Sequence, residues 1–119
     1  MSCLFDALGK SVNMNGSELR RVLCDYIATN PRLLDDLTAE QVISFTENIP
    51  LGRYLTRMRH PNAWGGCIEI KAFCELFHKA VVVAVTYTRK YFEVIPQSGI
   101  HNYVIITYNG SHFEFVKNH

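Results

Sequence analysis

A marked excess of either charge is the first thing missing from this chain. Its 119 residues carry 12 Lys and Arg against 11 Asp and Glu, a formal net charge of +1. No basic surplus points to nucleic acid, and no acidic tail is present. Long hydrophobic runs are missing too. The longest strongly apolar stretch, AVVVAVTY at 80–87, is much too short to cross a bilayer. The apolar start lacks both the basic n-region and the small-residue cleavage site of a secretory signal. Repeats, low-complexity tracts and obvious linkers are absent. Cysteine stands at positions 3, 24, 67 and 74. Four thiols could form two disulfides, yet nothing else suggests a stapled scaffold, and the spacing fits no common zinc pattern. Cys67 and Cys74 would share a helical face two turns apart, beyond the reach of a bridge. The expectation is reduced thiols in a cytoplasmic setting.

What the chain does hold is 48% hydrophobic and 19% charged residues, enough for one core and too little for two. The first two-thirds reads as helix and the last third as strand. A short helix starts at Cys3 and ends in the Gly9–Asn15 region. In NGSELRRVLCDYIATNP, Ser17 is the expected N-cap. Leu19, Val22, Leu23, Tyr26 and Ile27 then recur at helical spacing until Pro31 stops the run. Thr38 is expected to cap AEQVISFTEN, with Gln41 three residues on as a capping box requires. IPLGRYLTRMRHPNAWGG is expected to break into short pieces at its prolines and glycines. CIEIKAFCELFHKA carries the clearest helical stripe, formed by Ile68, Ala72, Phe73, Leu76 and Phe77. Four strand-sized segments follow: VVVAVTY, YFEVIP, YVIITYN and HFEFV. The Asn109-Gly110 pair between the last two signals a hairpin. These elements predict an α+β domain, with helices packed on a small, mostly antiparallel sheet of about four to five strands.

A thiol at the mouth of an apolar helix admits two readings. Cys3 is either a small buried residue, as free cysteines commonly are, or a nucleophile. At a helix N-terminus the dipole and the unpaired N–H groups favour a thiolate. A nucleophile needs an imidazole in reach and a third group that orients the ring. His60, His78, His101 and His119 fall in a polar loop, at a helix end, in a turn and at the terminus, where surface positions are expected. His112 differs. It opens a strand beside the Asn109-Gly110 turn, where backbone pairing would hold it firmly while it faces outward. Glu114, two residues on, shares its face by the pleat. Asp6, one turn into the first helix, is the rival carboxylate. The same His112–Glu114 pair could equally be a polar edge-strand pair facing water. Cys24, Cys67 and Cys74 fall within helices as packing residues.

SCLFDALG, NAWGGCIEIKAF, VVVAVTY and YVIITYNGSHFEFV stand in this order along the chain. In order and spacing the sequence resembles the ovarian-tumour (OTU) family of cysteine proteases over nearly its whole length. Cys3-Leu4-Phe5 with Ala7-Leu8 match the family's opening motif. Trp64-Gly65-Gly66 with Glu69 and Ala72 match its middle motif, and His112-Phe113-Glu114 its closing one. The resemblance implies a papain-like OTU fold over residues 1–119, a single domain cut from a longer chain. It also implies a deubiquitinating thiol hydrolase acting on the bond after the C-terminal glycine of ubiquitin or a ubiquitin-like modifier. Cys3 would attack, His112 would move the proton and Glu114 would orient the ring. Trp64, Gly65 and Gly66 would shape the channel for the Gly-Gly tail, and Asn109 and Gly110 count among the substrate-binding residues. Trp64 could instead plug the core between helix and sheet.

Three departures from the family pattern matter. The Asp-Gly-Asn that precedes the family's cysteine, and helps form its oxyanion hole, is absent; Met1 and Ser2 stand there. Glu114 occupies a position where the family has Asn or Asp. The compact size resembles the trimmed versions that some viruses carry in polyproteins. Two alternatives therefore accompany the deubiquitinase. One is a viral protease of the same fold that cuts its own polyprotein in the host cytoplasm. The other is a catalytically inactive, ubiquitin-binding pseudoenzyme. The resemblance implies ubiquitin or ubiquitin-like conjugates as partners, with the chain's own polyprotein in the viral case, and no metal or organic cofactor; no nucleic acid and no membrane segment in this chain are expected.

Overall fold

The N-terminal helices each bury one face, and that requirement gathers them around a common core. A computed structural model of the chain describes residues 3–99 and 102–119. Met1, Ser2 and His101 lie outside the described residues. Helix α1 (Cys3–Lys10) buries Leu4, Phe5, Ala7 and Leu8 and leaves Asp6 and Lys10 in water. Helix α2 (Gly16–Ala28) buries Leu19, Leu23, Cys24 and Ile27 against it. The α2 N-cap is Asn15, not the expected Ser17. Asn15 Oδ1 accepts the Glu18 N–H at 2.9 Å, and Glu18 Oε1 accepts the Asn15 N–H at 3.4 Å. Arg20, three residues past Ser17, has no acceptor with which to close such a box. Ser17 lies in the first turn and donates its hydroxyl to Asn15 Oδ1 at 2.8 Å.

Strands β1 (Arg32–Leu34) and β2 (Leu37–Thr38) form a small antiparallel hairpin, too short to show any period in sequence. Helix α3 (Ala39–Glu47) starts at Thr38 with the expected Gln41 capping box. Helix α4 (Leu51–Met58) is continuous where short pieces were expected. Pro50 stands at its N-cap and Gly52 in its first turn, where neither removes an intrahelical hydrogen bond. Helix α5 (Cys67–Phe77) buries Glu69, Ile70, Ala72, Phe73 and Cys74. The expected stripe is thus turned so that Ile68, Leu76 and Phe77 lie on its half-buried flank.

The four predicted strands are β3 (Lys79–Val85), β4 (Lys90–Val94), β5 (Asn102–Tyr108) and β6 (Phe113–Asn118). Their order in the sheet is β4-β3-β5-β6. Both hairpins are antiparallel, whereas the central β3–β5 pair is parallel, with Val81 opposite Val104 and Val83 opposite Ile106. These four side chains are fully buried. The α+β class stands, as a four-stranded sheet antiparallel on both flanks and parallel at its centre. In β6 the register slips, so that Lys117 pairs with Ile105 and Phe115 with Ile106. Val116 is therefore the extra residue of a bulge, and it is exposed. Helix α5 packs on β3 and α1 packs on β6, so the first helix meets the last strand.

Candidate active site

Where α1 meets β6 a cavity of about 410 Å3 opens, lined by Cys3, Asp6, Ala7 and Lys10 from one side and His112, Phe113, Glu114 and Phe115 from the other. The α1 residues recur at i, i+3, i+4 and i+7, so one helical face makes this wall. That spacing from Cys3 was the available signal for Lys10, which sequence reasoning missed. Cys3 is half-buried at the first residue of α1, where backbone N–H groups lack intrahelical partners.

His112 is the residue just before β6 rather than its first member. Its N–H donates to Asn109 Oδ1 at 2.8 Å, the same oxygen accepts the Ser111 N–H at 3.0 Å, and the Asn109 N–H donates to the His112 carbonyl at 3.1 Å. The Asn109 side chain is thus spent on the turn that carries the imidazole. Gly110 takes a φ of +101°, a conformation that needs no Cβ, and its carbonyl accepts the Tyr108 hydroxyl at 2.8 Å. Phe113 stacks on Tyr108, with ring centroids 4.5 Å apart. The backbone on both sides of His112 is held while the ring stays half-exposed.

Glu114 Oε1 lies 3.6 Å from His112 Nε2. This is within reach of an ion pair but longer than a hydrogen bond, and contacts of this kind commonly tighten only in a substrate complex. It leaves Nδ1 as the ring nitrogen available to a thiol. Asp6 lines the same cavity, but its carboxylate rests against α2: a Cβ on Gly16 would fall 1.9 Å from Asp6 Oδ1. Of the two carboxylates, Glu114 is the one seen against the ring. A thiol, an imidazole and a carboxylate around one cavity are the parts of nucleophilic acyl transfer.

The other sequence-named residues stand apart. Trp64 is 55% exposed, so it does not plug the core. Trp64 and Gly66 line a second cavity of about 500 Å3 together with Tyr54, Arg57, Cys67 and Glu69. Gly65 lies against α1: a Cβ there would stand 3.0 Å from Leu4 and from the Phe5 ring. Nothing lies within 4 Å of a Cβ built at Gly66. Asn109 and Gly110 flank His112 without lining the Cys3 cavity.

The four thiols differ in kind. All are free. Burial pushes Cys24 up to about 11 and Cys74 up to about 12, which keeps both as inert thiols. Cys67 is not the packing residue expected: as the first residue of α5 it is exposed. His60, His78 and His119 are on the surface as expected. Among the described residues, no cluster of three or more His, Cys, Asp and Glu could hold a metal ion. Among the same residues, no helix is long and apolar enough to cross a membrane.

The chain is similar to otu1 of Schizosaccharomyces pombe, at 26% identity over 95% of this chain and 32% of that protein. It is also 26% identical to Ubiquitin thioesterase OTU1 of Rattus norvegicus, over 82% of this chain and 26% of the relative. It therefore spans a third or less of the length of these relatives. Its fold superposes on an Ovarian Tumor (OTU) domain solved in complex with ubiquitin, with TM-score 0.79 and 22% identity, covering 98% of this chain and 64% of that one. It also superposes on the viral OTU domain protease from Dera Ghazi Khan virus, with TM-score 0.60 and 14% identity, covering 98% and 76%. The arrangement of helices and sheet is thus that of an OTU domain. The sequence profile of OTU-like cysteine proteases matches residues 2–113, a span that takes in both Cys3 and His112, and the chain belongs to that family.

Proposed function

We propose that this chain is a deubiquitinating thiol hydrolase that cuts the (iso)peptide bond after the C-terminal glycine of ubiquitin or a ubiquitin-like modifier. The observation that carries the proposal is the cavity shared by Cys3 and His112, with Glu114 behind the ring. The rat relative's name and the ubiquitin complex of the similar fold support the choice of substrate. Cys3 Sγ attacks the glycine carbonyl carbon while the thiol proton passes to His112 Nδ1. The tetrahedral oxyanion collapses, the C–N bond breaks, and the same proton leaves with the lysine amine. Water then hydrolyses the thioester, with His112 taking its proton and returning one to Cys3. Glu114 sets the angle and tautomer of the ring without itself taking the proton.

The Cys3 N–H is one oxyanion donor. Trp64, Gly65 and Gly66 border the path of the extended Gly-Gly tail, and Asn109 and Gly110 border it beside His112. Free thiols suit action in the reducing cytoplasm. In a viral setting that is the host's cytoplasm, and the chain's own polyprotein is a second substrate for the same chemistry.

Ubiquitin ending in a vinyl sulfone tests this reading. Wild-type protein should gain the mass of one ubiquitin on Cys3, and Cys3→Ala should gain none while keeping its circular dichroism spectrum. Ubiquitin binding without an adduct would identify a pseudoenzyme instead. Turnover that persists in Cys3→Ala would reject the site.

A further inference from the structure

Among the described residues, the buried charged side chains are Arg20 and Glu69, and both serve one segment. The Arg20 guanidinium donates to the carbonyls of Met58 at 2.8 Å, Ala63 at 2.9 Å and Pro61 at 3.2 Å. Its plane lies over the Phe5 ring, 4.3 Å from the centroid. Glu69, 1% exposed, accepts the Gly66 N–H at 2.7 Å, and its other oxygen accepts the Tyr54 hydroxyl. The 58–66 segment is therefore held at both ends by buried charges. Between those ends Gly65 runs so close to Leu4 and Phe5, the two residues that follow Cys3, that a Cβ there would stand 3.0 Å from both.

We infer that Arg20 and Glu69 are positioning residues, which fix the 58–66 segment against the first turn of α1 and so set where Cys3 stands. The inference rests on the reading of Cys3 as the nucleophile. Two charges are ill placed inside a core that only needs filling, because burial disfavours their ionised forms. It raises the Glu69 carboxyl and lowers the Arg20 guanidinium. A fixed geometry is what they supply in return. A nearly planar fork that reaches three carbonyls cannot be replaced by an ammonium. A carboxylate that joins a tyrosine on α4 to the N-terminus of α5 locks two helices to one loop. The chain of contact runs from Glu69 through Gly66 and Gly65 to Leu4, one residue from the thiol.

The test compares wild type with Glu69→Ala, Glu69→Gln and Gly65→Ala, each checked for a cooperative thermal transition above the assay temperature. Two readouts are taken. One is the rate of Cys3 alkylation by iodoacetamide, mapped by peptide mass so that exposed Cys67 is scored separately. The other is kcat and KM on a ubiquitin C-terminal amide. A displacement of about 1 Å at a reacting atom can cost on the order of 10²-fold. Glu69→Ala should therefore lower kcat about 10- to 100-fold with KM within about twofold, and both Glu69→Ala and Gly65→Ala should slow Cys3 alkylation. Glu69→Gln, which still accepts from Gly66, should recover most of both. Folded variants whose kcat and Cys3 alkylation match wild type would overturn the inference, as would a Gln variant no better than Ala. If the Ala variants do not fold, Tyr54→Phe and Arg20→Lys decide: each should lower kcat at constant KM, and unchanged kcat overturns the inference. If wild type cleaves no ubiquitin amide, the proposed function fails, and the alkylation rates alone still decide the positioning.

Discussion

At the scale of single residues, the pair His112 and Glu114 carries the sharpest chemical question. Glutamate reaches the ring with one methylene more than aspartate, which makes the contact less rigid. An orienting carboxylate acts on turnover while the thiol remains reactive. Glu114→Ala should therefore lower kcat about 10²-fold, Glu114→Gln less, and His112→Ala more than either, while Cys3 in Glu114→Ala still alkylates. Asp6→Ala should stay close to wild type, because the Asp6 carboxylate lies against α2. Steady-state kinetics of the two alanine variants side by side decide which carboxylate serves the ring. A larger loss in Asp6→Ala would transfer the role. Asn109 poses a related question. Its side chain accepts two N–H groups of the turn, so Asn109→Ala should loosen His112 and lower kcat in steady-state kinetics.

At the scale of elements, capping explains both where the sequence was legible and where it misled. Thr38 with Gln41 forms the box expected of it. At α2 the box belongs to Asn15 and Glu18, two residues upstream of the expected cap. Asn15→Ala should cost about 1 kcal/mol by urea denaturation, as the loss of an N-cap does, and Ser17→Ala no more than a few tenths. The reverse order of these two values would restore Ser17 as the cap. Helix α4 was obscured by Pro50 and Gly52, residues that punctuate chains in general and here merely mark a helix start. The β1–β2 hairpin had no period to reveal it.

At the scale of the whole molecule, burial sorts groups of one kind into different chemistries. The Cα radius of gyration is 13.4 Å, close to the roughly 13.5 Å expected of a compact chain of this length. Within so small a body Cys24 and Cys74 are fully buried, while Cys3 and Cys67 reach solvent. Ellman's reagent at pH 8 should therefore titrate two thiols in the native protein and all four in guanidinium; three or four native thiols would contradict this burial pattern. Glu69 makes stability depend on pH with a definite sign. Its carboxyl is raised by burial above the unfolded value of about 4.3. Between those two values the folded protein keeps a proton that the unfolded chain has released. The contribution of Glu69 to stability is then fully present below about 4.3 and is lost as pH rises through its folded pKa. Glu69→Gln removes this slope, so the stability of wild type relative to the Gln variant should fall as pH rises, in urea melts run across that window. A flat difference would mean that the Glu69 carboxyl is not raised by the fold.

By itself the sequence determined whatever rests on neighbours along the chain. The α5 helix, the four strands, the Asn109-Gly110 hairpin and the Thr38 cap follow from period and turn chemistry within a few residues. The family motifs brought Cys3, His112 and Glu114 to notice, although Glu114 lies one residue beyond the matched span. Only the tertiary structure decided the rest, because it depends on which surfaces meet. Packing of α1 on β6 puts Cys3 and His112 around one cavity. The parallel β3–β5 pairing could not be seen in segments that look alike in either orientation. Periodicity assigns a side chain to a face, but not that face to the core, so it left Trp64 open between core and surface and misplaced Cys67. Glu69 and Arg20 were the least legible of all. Charged residues are expected in water, and only a fold that surrounds them with carbonyls, a hydroxyl and a backbone N–H makes their burial tolerable.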